Sequence, residues 1–281
     1  MASARSCRFG LVQTTATDDL EGNLVATERA VGEAVSRGAE VVCVPEGFAW
    51  LGNAAGRLAI AEPLDEAAPG PILERCLALA RTHQIDLLLG GFPEACDGER
   101  TWNTAVHVDP DGTLRARYRK LHLFDVDLPD GTRLDESAST AAGDVAVTTA
   151  LPCGTTGLTI CYDLRFPALY QRLVDAGARV LTVPSAFTAT TGRDHWEVLL
   201  RARAIETQCW IVAPAQVGPH GGGRVSFGHS LVVDPWGRVV LDLGGEGPAV
   251  GVVEVDPGVA DAVRDRLPSL RHRRAIGGIV P

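Results

Sequence analysis

The chain has 281 residues and carries 26 Lys and Arg against 35 Asp and Glu, a net charge of −9. This acidic balance argues against a nucleic-acid-binding protein, and the dense basic run at residues 271–274 is expected to be a solvated or partner-facing part of a C-terminal tail, about 268–281. The seven cysteines include no C-x-x-C pair, which indicates a reduced protein without a disulfide framework or zinc site. Because no apolar leader and no run of about 18 apolar residues is present, we expect a cytoplasmic protein that does not enter a membrane.

Strand and helix patterns alternate in the first half of the chain. The apolar and capping patterns predict strands at residues 8–13, 40–44 and 85–90, a helix beginning at Asp18 or Asp19 and ending at residue 37, and a second helix near 71–83. A hairpin is expected next, with strands 102–108 and 113–118 around a turn at 109–112 that contains Pro and Gly. Two helix-crossed strands are thus followed by a hairpin.

The second half repeats this order. Residues 38–48 align with 177–187, and residues 108–112 align with 233–237; Gln84 and Gln208 also correspond, as do residues 10–11 and 157–158. Amphipathic helices are expected at 168–176 and 194–208. We therefore predict an α/β fold, a four-layer α-β-β-α sandwich from two pseudo-repeated halves, in one domain spanning residues 1–281. Chance similarity between α/β units is the alternative, and the shared order of the matches argues against it.

Cys161 follows a short apolar strand pattern and precedes Pro167, which suits the first turn of a helix. A side chain at such a boundary is held by a rigid strand, and the N–H groups of the next residues point into the same space. This position suits a nucleophile with an oxyanion site beside it. The alternative is a small buried apolar residue, which is the commonest fate of a free cysteine.

Glu46 and Lys120 are candidate partners of Cys161. Glu46 directly follows the apolar run 41–44, so we expect partial burial to raise its pKa toward the range useful to a general base; the alternative is an exposed loop carboxylate. Lys120 lies among large apolar residues after the first hairpin, where its ammonium could face a developing oxyanion; the alternative is a surface charge.

Three separate segments carry a family resemblance. In order along the chain they are PE at 45–46, YRKLHL at 118–123 and ICYDLRFP at 160–167. Together they resemble the signatures of the nitrilase (carbon-nitrogen hydrolase) superfamily, whose members use a Glu-Lys-Cys triad, and the likeness extends from about Phe9 to the end of the chain. The resemblance implies the same four-layer sandwich.

The resemblance also implies roles. Cys161 would be the nucleophile, Glu46 the general base and Lys120 the oxyanion cation, while Glu136 matches a second family glutamate that holds the lysine. An amide would be hydrolysed through a cysteinyl thioester with release of ammonia, and no metal or organic cofactor is implied. The family pattern suggests substrate-binding positions at Tyr162 (its N–H in the oxyanion hole), Arg165, Phe187 and Thr188. It also implies a homodimer in which Trp196 lies between subunits, with packing inside one chain as the alternative.

The substrate is expected to be a small amide with a carboxylate. Segments 185–187, 195–197 and 228–230 are most similar to the branch that contains deaminated glutathione amidase and ω-amidase, whose substrates are amides of 2-oxo dicarboxylates. Segments 206–209 and 272–274 are more similar to the first of these, so the resemblance implies an activity like that of deaminated glutathione amidase. An anionic substrate requires cationic partners, for which Arg165 and Arg193 are candidates. The alternatives are ω-amidase activity on α-ketoglutaramate, another aliphatic amide, nitrile or N-carbamoyl hydrolase, and a catalytically silent scaffold, against which the joint retention of Glu46, Lys120 and Cys161 argues.

Overall fold

The computed structural model describes residues 4–127, 131, 133–275 and 277. The helices are α1 Leu20–Ser36, α2 Ala54–Ala59, α3 Pro71–His83, α4 Pro167–Asp175, α5 Ala189–Thr207 and α6 Pro257–Arg266, with short 3₁₀ turns at Cys161–Arg165 and Gly221–Gly223. The strands are β1 Cys7–Gln13, β2 Val41–Val44, β3 Asp86–Ala95, β4 Thr101–Val108, β5 Leu114–Arg119, β6 Asp125–Asp127, β7 Arg133–Asp135, β8 Thr140–Ala141, β9 Val147–Leu151, β10 Gly154–Leu158, β11 Val180–Thr182, β12 Trp210–Ala213, β13 Val217–Pro219, β14 Val225–Phe227, β15 Leu231–Val233, β16 Val239–Asp242 and β17 Ala249–Val255.

Two sheets with matching topology form the centre of the molecule. The first has the order β17-β1-β2-β3-β4-β5, with β8 beside β4, and the second has the order β16-β15-β12-β11-β10-β9. In the first sheet β1, β2 and β3 are parallel and are followed by antiparallel β4 and β5. In the second, parallel β10, β11 and β12 are followed by antiparallel β15 and β16. The predicted repeat of two α/β halves is therefore confirmed.

Equivalent residues also form the same helix ends and turns in the two halves. Gln84 and Gln208 end α3 and α5 in the left-handed region, with φ of 53° and 52°. Asp109 and Asp234 each accept backbone N–H groups of their own turn, from Thr113 and from Arg238, both at 2.9 Å. The sequence matches at these positions thus reflect shared caps and turns.

Alternating side chains along the strands separate the layers. In β2, Val41 and Cys43 join the apolar cluster that contains residues of both sheets, whereas Val42 and Val44 join the cluster formed with α1 and α3. α4 packs on β10, and α5 packs on β12 and β15, at the outer side of the second sheet. Because each sheet is covered by helices on one face and by the other sheet on the opposite face, the four-layer sandwich is confirmed.

Two elements extend five residues beyond a predicted bound. α5 begins at Ala189, five residues before the predicted start at 194, because the Thr188 side chain caps the helix by accepting the Thr191 N–H at 3.4 Å. β3 continues past residue 90 to Ala95, because the register shifts between Leu89 and Phe92 let the strand pass through two glycines.

Trp196 packs within one chain. Its side chain is fully buried, and its Nε1 donates a hydrogen bond to the His229 carbonyl at 2.7 Å. The expected position of Trp196 between subunits is therefore wrong, and the alternative of packing inside the chain is right.

The predicted C-terminal tail contacts α4 where it is described. Arg273 donates to Gln171 Oε1 at 2.6 Å and pairs with Asp175. Residues 276 and 278–281 lie outside the described residues, and the division into one domain with a tail stays a prediction. Within the described part of the chain, no helix is both long and apolar enough to span a membrane.

Candidate active site

A cavity of about 220 Å³ brings the predicted catalytic residues together. The cavity is lined by four side chains that are far apart in the sequence: Glu46, Lys120, Glu136 and Cys161. Glu46 follows β2, Lys120 follows β5, and Cys161 follows β10 of the second sheet. The site therefore lies where the ends of strands from both sheets meet.

Glu46 is buried and has a full set of hydrogen-bond donors. Its Oε1 accepts from Asn103 Nδ2 at 2.9 Å and from Lys120 Nζ at 3.1 Å, while its Oε2 accepts the Ala186 backbone N–H at 2.9 Å. The carboxylate is thus fixed from both sheets, because Ala186 follows β11 of the second sheet.

The expected rise in the Glu46 pKa is wrong. Burial favours a higher pKa, but the charges of Lys120 and Arg224, with hydrogen bonds from Cys161 and Asn103, outweigh burial and lower the pKa of Glu46 below its usual value. Glu46 is therefore an ionised carboxylate at neutral pH, which can accept a proton at once.

A bulge in β3 makes room for Glu46. Gly91 has φ of 68°, and a Cβ at this position would lie 2.6 Å from the Gly47 N and 3.1 Å from Glu46 Cγ. A left-handed residue without a side chain is therefore required beside the carboxylate.

Lys120 is almost completely enclosed and is held by two carboxylates. Its Nζ lies 3.1 Å from Glu46 Oε1 and 2.8 Å from Glu136 Oε2. Burial favours a lower pKa, but the charges of Glu136 and Glu46 outweigh it and raise the pKa of Lys120. The side chain is therefore a fixed ammonium at the cavity wall.

Asn103 links the two glutamates and was missed by the sequence analysis. Its Nδ2 donates to Glu46 Oε1 at 2.9 Å and to Glu136 Oε1 at 3.0 Å, and its buried Oδ1 has no partner within the described residues. The available signal was an amide side chain inside a predicted strand, β4. Buried amides are normally paired, so the open Oδ1 indicates a place for a substrate N–H or a water.

Cys161 occupies a strained position after β10. Its φ is 47°, which is unusual for a residue with a side chain, and its backbone N–H donates to the Pro184 carbonyl at 3.0 Å. The strand ends at Leu158, and Cys161 begins a 3₁₀ turn before α4 starts at Pro167. The predicted elbow is confirmed, with this extra turn between strand and helix.

The Cys161 side chain is a neutral thiol in the resting site. Burial and the Glu46 charge raise its pKa, and the opposing effect of Lys120 is smaller. The thiolate fraction before attack is therefore smaller than that of an ordinary cysteine. Since Glu46 hydrogen-bonds the thiol and is itself ionised, proton transfer to Glu46 can accompany attack.

Asp163 holds the Cys161 turn against the Lys120 segment. This fully buried carboxylate accepts the Ile160 N–H at 2.9 Å, the Tyr118 hydroxyl at 2.7 Å and the His122 backbone N–H at 3.1 Å. One side chain therefore fixes the backbone before the nucleophile, the Tyr118 side chain before the lysine and the His122 backbone after it.

The four predicted substrate-binding side chains are not part of the cavity lining. The guanidinium of Arg165 lies 5.3 Å from the Phe187 ring centre and 5.8 Å from that of Tyr162, and its Nη1 lies 3.3 Å from His195 Nδ1. Thr188 caps α5. Arg165, Phe187 and Tyr162 thus form a separate cluster, and their role in substrate binding stays a prediction.

Two arginines that the sequence analysis did not single out line the cavity. Arg57 comes from α2, in a segment with no strong pattern, and Arg224 follows the 3₁₀ turn Gly221–Gly223. Arg193, which the sequence offered as a carboxylate partner, is exposed on α5. In the described part of the chain, no group of three or more His, Cys, Asp or Glu side chains could hold a metal ion.

Comparisons with known proteins identify the family of the chain. A family model described as Carbon-nitrogen hydrolase matches residues 8–265. Relatives named deaminated glutathione amidase are 45% identical in Synechocystis sp. (93% of this chain, 96% of the relative) and 43% identical in Homo sapiens (97% and 84%). The crystal structure of the C. elegans NitFhit protein superposes with a TM-score of 0.89 at 40% identity, covering 97% of this chain and 66% of that longer chain. The chain therefore belongs to the carbon-nitrogen hydrolase family.

Proposed function

We propose that this enzyme hydrolyses the amide of a 2-oxo dicarboxylate, with deaminated glutathione as its substrate, through a thioester on Cys161. The observation that carries the proposal is the meeting of a thiol, an ionised carboxylate and an ammonium in one small cavity. The names of the relatives supply the substrate class.

In the first step the Cys161 Sγ attacks the amide carbonyl carbon while Glu46 takes the thiol proton. Negative charge then develops on the carbonyl oxygen, which Lys120 Nζ and the Tyr162 backbone N–H stabilise. Because Lys120 is already fixed by Glu46 and Glu136, little reorganisation accompanies this charge development. Glu46 next gives its proton to the departing nitrogen, the C–N bond breaks, and an acyl thioester remains.

In the second step water attacks the thioester carbonyl. Glu46 is again a carboxylate after the amine leaves, so it takes a proton from water, and the proton returns to the sulfur as the C–S bond breaks. The carboxylic acid leaves and the thiol is restored. No redox change occurs in this sequence.

The leaving group depends on the substrate. In deaminated glutathione the amide joins the 2-oxoglutaryl group to the cysteinylglycine amine, so hydrolysis releases 2-oxoglutarate and cysteinylglycine. The expected release of ammonia applies to primary amides such as α-ketoglutaramate, the ω-amidase substrate. Both substrates give the same acyl thioester, so both fit the proposed mechanism.

A homodimer is part of the proposal. Val198 and Ile205 on α5 are exposed by 67% and 51%, which is unusual for apolar side chains on a helix that also packs on a sheet. Pairing of this surface with a second copy would bury them.

A cytoplasmic location is proposed on the cysteine content alone.

The proposal is tested by a cysteine pair. Cys161→Ala removes the nucleophile, whereas Cys96→Ala removes a thiol that does not line the cavity. Release of 2-oxoglutarate from deaminated glutathione and α-ketoglutaramate would be measured. Turnover of aliphatic amides, nitriles and N-carbamoyl amino acids would be measured in parallel. We expect loss of turnover in Cys161→Ala only, with preference for the 2-oxo dicarboxylate amides. Turnover in Cys161→Ala contradicts the mechanism, and preference for another class contradicts the substrate.

A further inference from the structure

Arg57 and Arg224 bring positive charge to the cavity, and neither has an ion-pair partner among the described residues. Two carboxylates of the cavity lining, Glu46 and Glu136, make their ion pairs with Lys120. Arg224 donates instead to the Ala186 carbonyl at 2.5 Å, and Arg57 donates to the Trp102 carbonyl at 3.5 Å, which is a long contact. Both guanidinium groups therefore retain donors for another acceptor.

The Nε of Arg224 is one donor that lacks an acceptor among the described residues. It is buried and has no hydrogen-bond partner among the described residues. A buried donor of a charged group without an acceptor is unfavourable, so such a group in a native protein needs an explanation. A ligand with acceptor oxygens supplies one, because this arginine lines the same cavity as Cys161.

The electrostatic environment of Arg57 points the same way. Burial and the nearby Arg224 charge lower the pKa of Arg57, against the opposing charges of Glu136 and Glu46. Two like charges that are partly buried beside one cavity are unfavourable until an anion joins them. A guanidinium fork matches the two oxygens of a carboxylate, which gives orientation as well as charge neutralisation.

We propose that Arg57 and Arg224 bind the carboxylate of the substrate's acyl half, at the end opposite the amide that Cys161 attacks. This inference rests on the proposed function and adds the residues that select for a 2-oxo acid. The cavity of about 220 Å³ is smaller than the roughly 300–1,000 Å³ typical of drug-sized ligands, so it suits a five-carbon acyl chain and leaves the cysteinylglycine part outside.

A matched pair of substrates isolates this contact. α-Ketoglutaramate and 4-oxopentanamide share the amide, the chain length and the ketone, but a methyl group replaces the carboxylate in the second. The ratio of their kcat/KM values measures carboxylate recognition. We expect the wild-type enzyme to prefer α-ketoglutaramate and Arg57→Met or Arg224→Met each to lower the ratio roughly 10- to 100-fold, as for loss of a charged hydrogen bond. Arg29→Met, on the exposed face of α1, is the matched control and should keep the ratio.

Arg57→Lys separates the loss of positive charge from a structural effect of replacing Arg57. It retains a cation at the site and should keep part of the preference for α-ketoglutaramate that Arg57→Met loses. Equal ratios in wild-type, Arg57→Met and Arg224→Met proteins overturn the inference, whether the two activities persist or fall together. A wild-type ratio near one overturns it as well. Thermal melts of each variant identify unfolding.

A binding measurement separates this inference from the proposed function. Calorimetry would give the Kd of 2-oxoglutarate for Cys161→Ala and for Cys161→Ala/Arg57→Met. Weaker binding in the double variant by roughly 10-fold or more supports the carboxylate site even where neither amide is turned over by the wild-type enzyme. Equal Kd values overturn the proposed carboxylate site. If the wild-type enzyme turns over both amides in that case, the proposed function stays intact.

Discussion

The Nζ of Lys120 lies 2.8 Å from Oε2 of Glu136. The same oxygen accepts the Phe124 backbone N–H at 2.8 Å, so Glu136 fixes both the ammonium and the segment that carries it. Its other oxygen receives the Asn103 amide at 3.0 Å. Glu136 is therefore placed to position Lys120, whereas Glu46 is the general base in the proposed mechanism.

This relationship predicts a non-additive pair of losses. Lys120→Arg keeps the charge but replaces a compact ammonium with a larger planar fork at a side chain that is almost completely enclosed, and loss of an oxyanion donor typically lowers turnover about 100- to 1,000-fold. Glu136→Gln should also lower turnover. The double variant should lose less than the product of the single losses, because both changes remove the same positioned cation.

Steady-state turnover of the two single variants and the double variant would be measured, with thermal melts to exclude unfolding. Near-native activity in Lys120→Arg would make Lys120 a structural lysine. Fully multiplicative losses would show that Glu136 acts on the substrate independently of Lys120.

The second prediction concerns the pH dependence of thiol alkylation. Because burial and the Glu46 charge raise the pKa of Cys161, its thiolate should not form near pH 8.5, the ordinary range of a cysteine. The rate at which iodoacetamide modifies Cys161 should therefore show no inflection between about pH 7 and 9.5. Peptide mapping would follow Cys161 and, for comparison, the partly exposed Cys96. An inflection of Cys161 near 8.5 would mean that the thiol is not shielded as described.

The third prediction concerns the bulge beside the general base. Gly91→Ala would place a Cβ within 2.6 Å of the Gly47 N and 3.1 Å of Glu46 Cγ, at a φ that disfavours alanine. We expect Glu46 to move and kcat to fall by roughly 10- to 100-fold, since small displacements of catalytic groups have effects of this size. Gly98→Ala is the comparison, because this glycine also has a positive φ but an added Cβ meets nothing within 4 Å. Equal activity in the two variants would contradict the positioning role of the bulge.

The fourth prediction concerns stability and Asp163. Tyr118→Phe removes one of its hydrogen bonds and should lower the free energy of unfolding by about 1 kcal/mol. Asp163→Ala leaves the Tyr118 hydroxyl and the N–H groups of Ile160 and His122 without their acceptor, so a loss of about 3 kcal/mol or more is expected. Denaturant melts would compare both with Asp261→Ala, which removes an exposed ion pair to Arg179 and should change stability by less than about 1 kcal/mol. A loss in Asp163→Ala no larger than in Asp261→Ala would remove Asp163 from this role.

Periodicity and short motifs were enough to predict the layers and to select Glu46, Lys120 and Cys161, which line one cavity. Residues 38–48 and 177–187 share a pattern because each forms the same helix-to-strand connection, and Glu46 and Cys161 could be selected because each directly follows an apolar strand. The start of α5 was missed because Gly192 interrupts the helical pattern, although Thr188 provides the cap. Local pattern thus predicts elements well where caps and strands are regular.

The remaining features depend on contacts between distant segments. The direction of the Glu46 pKa shift is set by Lys120 and Arg224, which no local pattern connects to it. Asn103 and Arg57 were missed because their sequence contexts are those of an ordinary strand and a short helix. Only the folded arrangement brings their polar groups to one cavity.

The central claim, a thioester on Cys161 with Glu46 as base, is tested most directly by trapping the intermediate. Glu46→Gln removes the base from both steps. Water, with a pKa of about 15.7, depends on a base more than a thiol does, whose ordinary pKa is about 8.5. Deacylation should therefore slow more than acylation, and the acyl enzyme should accumulate. Glu46→Gln protein incubated with deaminated glutathione would be acid-quenched and mapped by mass spectrometry. We predict a 2-oxoglutaryl group on Cys161, absent from Cys161→Ala. An acyl group on any other residue, or turnover in Cys161→Ala, would contradict the claim.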